Sequence, residues 1–182
     1  KYTLGKIIDS GNYGEIFEIE GGLVAKVSTD TEDTANEIKV LKSLAKYGAK
    51  NVTSLIDYDI IIIKNFENDK RITCGYIIMP RYEKITTCPI TAARHLVRSL
   101  EVLHTIGRVH NDIKPENAMT TQKGQTVLID FGMSEKFSDE DTVTQFQGNL
   151  LFASLDKLHF RNPTRKDDLV SLAYMMMYMI NN

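Results

Sequence analysis

Two short stretches of this 182-residue chain bring acidic, amide and basic side chains close together. They read His110-Asn111-Asp112-Ile113-Lys114-Pro115-Glu116-Asn117 and, thirteen residues after Asn117, Asp130-Phe131-Gly132. Phosphoryl transfer needs little covalent help, so its main requirement is a carboxylate that orients a hydroxyl towards the γ-phosphate. Asp112 is the candidate for that role, and Lys114 is two residues away, where it can reach the γ-phosphate. Asn117 and Asp130 offer the oxygen ligands that Mg²⁺ prefers.

The composition is that of an ordinary globular protein, with 42% hydrophobic and 25% charged residues. A net charge of −2 gives no general reason to expect nucleic acid or an anionic membrane as a partner. Cys74 and Cys88 form no disulfide framework, which favours a reducing compartment, the cytoplasm or the nucleus. No signal peptide is visible, and the apolar stretches at residues 60–63 and 175–180 are too short to span a bilayer.

The first 80 residues favour β-structure with one helix. Periodicity and turn residues predict strands at residues 2–8, 14–19, 23–27, 60–63 and 72–79, with the last two joined by a polar turn at 67–70. A helix capped by Thr31 or Asp33 is predicted to run to about Tyr47. Its apolar face would consist of Ile38, Leu41, Leu44 and Ala45, and Gly48 lies where the helix should end.

The second half favours helices. Pro89 suits the first turn of a helix that continues to Ile106 and is ended by Gly107. Short strands are predicted around Val109 and at residues 126–129. A last helix is predicted from about Asp167 into a tail rich in methionine.

The two motifs together read H-x-D-x-K-x-x-N and D-F-G, the loops with which protein kinases position a hydroxyl and hold magnesium. The chain resembles a eukaryotic-type protein kinase and is most similar to the casein kinase 1 and vaccinia-related kinase group. Residues 2–17 resemble that group's first hairpin. Residues 148–156 resemble its G-T-x-x-Y-A-S-I-N segment, and residues 165–174 resemble R-R-D-D-L-E-S-L-G-Y.

This resemblance covers essentially the whole chain and implies a single protein kinase domain with a bilobal α+β fold. Residues 1–80 would form an N-lobe with a five-stranded antiparallel sheet and one helix. Residues 81–182 would form a shortened, mainly helical C-lobe.

The resemblance also implies ATP and Mg²⁺ as cofactors and a protein as substrate. Lys26 matches the lysine of V-A-x-K sequences, which contacts the α- and β-phosphates, and Glu37 is its expected partner on the following helix. With Asp112 and Lys114 these residues make up the catalytic set. Asp168 would brace the backbone of the catalytic loop. The nucleotide and its metal would contact Ser10, Gly11, Asn12, Gly14, Ile16, Ala25, Lys26, Met79, Pro80, Tyr82, Asn117, Ile129 and Asp130, with Asn117 and Asp130 as the metal ligands.

Four features depart from the family pattern. Asn111 replaces the arginine that reads phosphate on the activation loop in many kinases, so no switch of that type is expected. Asp9 replaces the first glycine of the phosphate-covering loop. Only residues 83–88 separate the predicted hinge from the next helix. The chain stops at Asn182, which is expected to leave the apolar residues 175–180 in need of a partner.

Two functions from different classes remain open on these observations. The first is an ATP- and Mg²⁺-dependent kinase that phosphorylates serine and threonine of proteins, because the whole catalytic set is present. The second is a weak or inactive kinase-like module that binds another kinase or a scaffold. A kinase that acts on small molecules is a third, more distant reading.

Overall fold

A computed structural model describes residues 2–11, 14–64, 71–137, 142–143 and 145–181. Asn12 and the turn predicted at residues 67–70 lie outside these ranges. The chain divides into two compact units, one made of Lys1–Lys42 and Thr53–Arg81 and the other of Ser43–Val52 and Tyr82–Asn182. The lobe boundary that we placed after residue 80 stays a prediction.

The first unit contains a five-stranded antiparallel sheet with the strand order β1-β2-β3-β5-β4. Its strands are β1 (Ile7–Gly11), β2 (Gly14–Ile19), β3 (Leu23–Ser28), β4 (Asp57–Lys64) and β5 (Arg71–Pro80). Ile19, Ala25 and Ile78 form a buried cluster on one face, against which Phe17 and Tyr76 pack. The five strands and one helix expected here are confirmed, as is the α+β class.

The first strand was predicted too early in the chain. Gly5 and Lys6 exchange backbone hydrogen bonds with Glu18, but the register of the β1–β2 pair shifts between Ile7 and Asp9. Such an irregularity interrupts the regular ladder. The regular strand therefore begins at Ile7 rather than Tyr2.

Helix α1 (Thr31–Lys46) is capped by Asp30, not by Thr31 or Asp33. The Asp30 carboxylate accepts a hydrogen bond from the N–H of Asp33 at 3.0 Å, which satisfies one of the free donors of the first turn. Ala45 was wrongly assigned to the apolar face, because it is exposed whereas Leu44 is buried. Gly48 has φ of 66°, a value that suits glycine after a helix end.

The second unit contains three helices and five short strands among its described residues. Helix α2 (Pro89–Thr105) ends before Gly107, as predicted. The remaining elements are β6 (Glu83–Lys84), β7 (Arg108–Val109), a 3₁₀ turn at Pro115–Asn117, β8 (Ala118–Thr120), β9 (Thr126–Leu128), β10 (Glu135–Lys136), α3 (Leu155–Leu158) and α4 (Arg165–Asn181). The three-stranded sheet has the order β6-β8-β9, and β10 pairs with β7. In the described part of the chain, no helix has the length and apolar character needed to cross a membrane.

Helix α4 begins two residues before the predicted start at Asp167. The carboxylate of Asp167 reaches back and accepts hydrogen bonds from the backbone N–H and the hydroxyl of Thr164, each at 2.7 Å. This is one half of a capping box, in which an acid on the third helical residue accepts the backbone N–H of the residue before the helix, while the N–H of Asp167 donates to the Thr164 carbonyl at 3.0 Å. Asp167 is therefore the third residue of α4 and not its first.

Candidate active site

The loop between β7 and β8 contains Asp112 and Lys114, two of the predicted catalytic residues, and is hydrogen-bonded to the first turn of α4. Asp168 accepts hydrogen bonds from the backbone N–H of His110 at 2.8 Å and of Asn111 at 3.0 Å. His104 Nε2 also lies 2.8 Å from Asp168 Oδ2. Asp168 is 2% exposed, so these bonds are made out of contact with water. The bracing role predicted for Asp168 is confirmed.

His110 supports the loop through both ring nitrogens. Its Nδ1 accepts the N–H of Asp112 at 3.3 Å, and its Nε2 lies 3.1 Å from the carbonyl oxygen of Ile129 and donates to it. Burial lowers the pKa of the ring, although the charges of Asp168, Asp130 and Asp112 oppose that shift. A neutral ring with this pattern has no free nitrogen for chemistry, so His110 is a structural residue.

Asp112 is fixed through one carboxylate oxygen. Its Oδ2 lies 2.6 Å from Lys114 Nζ and accepts a hydrogen bond from Asn117 Nδ2 at 3.0 Å, while Asn117 Nδ2 also donates to the Asp112 carbonyl at 2.9 Å. The other oxygen, Oδ1, is buried and accepts no hydrogen bond within the described part of the chain. A buried acceptor without a donor is costly, so Oδ1 is suited to a hydrogen bond from a bound group. The structure thus brings Asp112, Lys114 and Asn117 together.

The β8–β9 hairpin brings the two predicted metal ligands to one end. Ala118 pairs with Leu128, and the N–H of Ile129 donates to the carbonyl of Asn117 at 2.9 Å. Because Asn117 Nδ2 is engaged by Asp112, its Oδ1 is the side-chain atom left for a ligand. Asp130 follows Ile129 with φ of 60°, an unusual backbone conformation for a residue other than glycine. One amide oxygen and one carboxylate suit the chemistry of Mg²⁺.

Lys26 and Glu37 form a buried ion pair in the first unit. Lys26 Nζ lies 2.7 Å from Glu37 Oε2, with 13% and 1% of the two side chains exposed. The lysine comes from β3 and the glutamate from the first half of α1. The predicted partnership is confirmed, while the contact of Lys26 with phosphates stays a prediction.

The structure describes the residues on either side of the turn that is predicted to cover the phosphates, up to Gly11 and from Gly14. Ser10 and Gly11 end β1, and Gly11 pairs with Gly14. Gly14 has φ of 118°, and a Cβ there would lie 2.3 Å from the carbonyl oxygen of Val27. Only glycine tolerates that conformation and that approach. Ile16 pairs with Lys26 across β2 and β3, so their side chains share one face of the sheet.

Ala25 does not share that face. Successive side chains of a strand point to opposite faces, and Ala25 packs into the cluster with Ile19 and Ile78. The assignment of Ala25 to the nucleotide site alongside Lys26 is therefore wrong. Val24 lies two residues before Lys26, is 7% exposed, and points to the same face of the sheet as Lys26. The alternation of side chains along a strand would have identified Val24 from the sequence.

The predicted adenine contacts lie at the end of β5 and just after it. Met79 is 5% exposed and pairs with Val24, which places it on the face of Lys26. Pro80 pairs with Leu23 as the last residue of β5. Tyr82 is half-buried and belongs to the second unit. Their contacts with a nucleotide stay predictions.

Asn111 occupies the position where an arginine was expected. Its Nδ2 donates to Glu135 Oε1, and burial raises the pKa of that carboxyl group. Asn111 Oδ1 is buried without a hydrogen-bond partner in the described residues. An amide next to a carboxylate lacks the positive charge that binds phosphate. The expectation that no switch of this type operates here stays a prediction.

Comparison with known proteins agrees with this arrangement. The family model described as the protein kinase domain matches residues 2–182. A probable casein kinase I homolog from Encephalitozoon cuniculi is 24% identical, and the alignment covers 98% of this chain and 62% of that protein. The serine/threonine-protein kinase STK11 of Rattus norvegicus is 27% identical over 84% of this chain and 39% of that protein, and STK11 of Gallus gallus has the same values.

The chain thus spans less than two thirds of the length of these relatives. The family match nevertheless extends over both compact units and includes every described residue. The α+β architecture and the motifs at residues 110–117 and 130–132 agree with it. This chain belongs to the protein kinase domain family.

Proposed function

We propose that this chain is an ATP- and Mg²⁺-dependent protein kinase that transfers the γ-phosphate of ATP to serine and threonine hydroxyls. The observation that carries the proposal is the arrangement at Asp112, where Lys114 and Asn117 hold one oxygen and the other has no donor in the described residues. Asp112 Oδ1 would accept the proton of the substrate hydroxyl. The hydroxyl oxygen then bonds to the γ-phosphorus, the bond to the β,γ-bridging oxygen breaks, and ADP leaves.

Lys114 and Asn117 have separate tasks in this scheme. The ammonium of Lys114, 2.6 Å from Asp112, can spread the negative charge that develops on the transferred phosphoryl group. Asn117 orients Asp112 through Nδ2 and keeps its oxygen for the metal. Asp130 would supply the anionic ligand. Mg²⁺ held by Asn117 and Asp130 would supply the positive charge that neutralises the phosphates during transfer.

In the first unit, Lys26 would bind the α- and β-phosphates while Glu37 holds its ammonium at 2.7 Å. The remaining nucleotide contacts proposed are Ser10, Gly11, Asn12, Gly14, Ile16, Val24, Met79, Pro80, Tyr82 and Ile129. Val24 replaces Ala25 in this set, because it is on the same sheet face as Lys26 and Met79.

The choice of serine and threonine over tyrosine rests on Lys114 and on the resemblance to casein kinase 1. The serine/threonine kinases found among the relatives support it. We further propose a casein-kinase-1-like subtype and an intracellular location, and neither nucleic acid nor membrane as a partner.

The test is transfer of labelled γ-phosphate from Mg-ATP to casein and to the chain itself. Asp112→Asn and Asp130→Asn are measured beside the parent chain, and a melting curve confirms that each is folded. Loss of Asp112 should lower the rate by a factor on the order of 10² to 10⁴, the usual contribution of a positioned base. A folded parent chain that transfers no phosphate would contradict the proposal.

A second candidate is a catalytically weak or inactive kinase-like regulatory module that binds another kinase or a scaffold. The observation that favours it is the exposed apolar surface of α4, where Met177, Tyr178 and Ile180 are 51%, 46% and 67% exposed. A partner covering this helix would bury that surface. Nucleotide-induced thermal stabilisation without phosphate transfer would support this candidate over the first.

A further inference from the structure

Lys157 is a buried lysine that neither motif contains. It lies in the short helix α3 and is 6% exposed, although lysine is almost never buried unless it has a partner. Its Nζ donates a hydrogen bond to the backbone carbonyl of Asn111 at 2.7 Å. Asn111 directly precedes Asp112, so a side chain 46 residues away in the sequence holds the catalytic loop.

Burial lowers the pKa of the Lys157 ammonium, and the charges of four carboxylates only partly oppose that shift. These belong to Asp168, Asp112, Asp167 and Glu135. The ring of Phe146 also lies 5.6 Å from Nζ. The ammonium nevertheless donates its hydrogen bond to the carbonyl of Asn111, so it binds the backbone of the loop directly.

The peptide groups on the two sides of Asn111 are held by different elements. Asp168 of α4 binds the N–H of His110 and of Asn111, while Lys157 of α3 binds the carbonyl of Asn111. Asn111 has φ of 72°, in the left-handed region that asparagine adopts more readily than most residues other than glycine. The two anchors hold its peptide groups in this conformation, from which the next residue, Asp112, leaves the backbone.

Gly148 completes the contact from a third segment. A Cβ at this position would lie 2.3 Å from the Asn111 carbonyl oxygen and 2.9 Å from Lys157 Nζ. Its φ of 101° also favours glycine. Gly148 therefore packs against both atoms of the hydrogen bond between Lys157 and Asn111. The catalytic loop, residue 148 and α3 meet at this point.

We propose that Lys157 is a positioning residue for phosphoryl transfer, which acts on Asp112 by fixing the carbonyl of Asn111. The inference rests on the proposed kinase function. Lys157 touches no reacting atom, so its loss should lower kcat and leave the KM for Mg-ATP nearly unchanged. A displacement of about 1 Å at a catalytic group costs on the order of 10²-fold in rate, which sets the scale of the expected effect.

The test compares Lys157→Met, Lys157→Gln and the exposed-lysine control Lys166→Met in the full chain. Lys157→Met keeps the length and removes the donor, whereas Lys157→Gln keeps a neutral donor and provides a second variant if the first does not fold. We expect kcat with casein to fall about 10- to 100-fold in Lys157→Met and less in Lys157→Gln, with KM for Mg-ATP within about 2-fold. Lys166, whose side chain is 64% exposed, should give parental values.

Hydrogen exchange of the backbone separates this inference from the proposed function. Lys157→Met should speed exchange at Asn111 and Asp112, and Lys166→Met should not. An active parent chain with unchanged kcat in a folded Lys157→Met variant would overturn the positioning role. An inactive parent chain would refute the kinase proposal, and the exchange rates alone would then test whether Lys157 fixes the loop. Faster exchange in Lys157→Met would support that contact, and unchanged exchange would refute it.

Discussion

Glu37 holds the ammonium of Lys26 at 2.7 Å, with only 1% of the glutamate side chain exposed. Removal of either partner deprives the other, largely buried charge of this ion pair, which costs more than the net contribution of the pair to stability. The pair therefore fixes the position of Lys26 on β3 as well as its charge.

Substitution of this pair is the first prediction. Lys26→Met should lower phosphate transfer to casein by a factor on the order of 10² to 10³, the range for loss of one preorganised cationic or donor group. Glu37→Gln should also lower it, because the carboxylate that lies 2.7 Å from the ammonium is replaced by a neutral amide. Lys123→Met, at an exposed turn, is the matched control and should retain the parental rate. Parental transfer by a folded Lys26→Met variant would contradict the role proposed for Lys26.

Asp168 is the subject of the second prediction. Its two oxygens accept hydrogen bonds from the backbone N–H groups of His110 and Asn111, and Oδ2 also lies 2.8 Å from His104 Nε2. Asp168→Asn replaces one acceptor by an NH₂ group that faces a backbone donor, and an unsatisfied buried group costs about 1–3 kcal/mol. Denaturant unfolding should show that loss, and transfer activity should fall with it.

The control for this variant is Asp156→Asn. Asp156 pairs with Lys166 and Arg161 at the surface, where ion pairs contribute little to stability. A free energy of unfolding reduced equally in both variants would show that Asp168 has no special part in holding the loop.

The elements that local chemistry determines were predictable from the sequence. Pro89 and Gly107 bounded α2 correctly. The resemblance to kinases, rather than local chemistry, identified Glu37 on α1 as the partner of Lys26. The motif at residues 110–117 located the acid and its neighbours, because those residues are close in the chain and the resemblance assigns each of them.

What tertiary contacts determine was not predictable. In α3 the apolar Leu155 is 67% exposed and the charged Lys157 is 6% exposed, the reverse of what side-chain polarity indicates. The reason is the carbonyl of Asn111, which lies far away in the sequence and supplies the partner of Lys157. The pairs β7–β10 and β6–β8 are likewise two residues long and carry no periodic signal.

The third prediction concerns pH and the buried ring of His110. Burial lowers the pKa of this ring in the folded protein, against the opposing charges of Asp168, Asp130 and Asp112, while the unfolded chain has the ordinary pKa of about 6.5. Below pH 6.5 the unfolded state therefore binds a proton that the native state does not. The free energy of unfolding should fall with decreasing pH, by up to about 1.4 kcal/mol per pH unit, until the native pKa is reached.

Comparison of variants isolates this effect. The raised pKa of Glu135 has the opposite effect on the free energy of unfolding. The native state then binds a proton that the unfolded state does not, so this group stabilises the native state as the pH falls. We therefore expect His110→Leu to remove the loss of stability between pH 7 and pH 5 that the parent chain shows, and the exposed His159→Leu to keep it. Equal pH slopes in the parent chain and in His110→Leu would show that the ring does not titrate differently on unfolding.

The fourth prediction concerns Gly75 on β5, where the sheet lies against α1. A Cβ at this position would lie 2.5 Å from Thr34 Cγ2 and 2.7 Å from Thr34 Cβ. Thr34 cannot move away freely, since it is 6% exposed and its hydroxyl donates to the Asp30 carbonyl at 2.7 Å. Gly75→Ala should therefore destabilise the protein by about 1–3 kcal/mol, as overpacking does, although alanine usually suits a strand better than glycine. Gly11→Ala is the control, because no heavy atom of the described residues, apart from its chain neighbours, lies within 4 Å of its added Cβ, and its stability should stay close to parental. Equal melting temperatures for the two variants would mean that α1 can shift away from the sheet at Thr34 at no cost, and thus that the position of Glu37 on the same helix is not fixed by this contact.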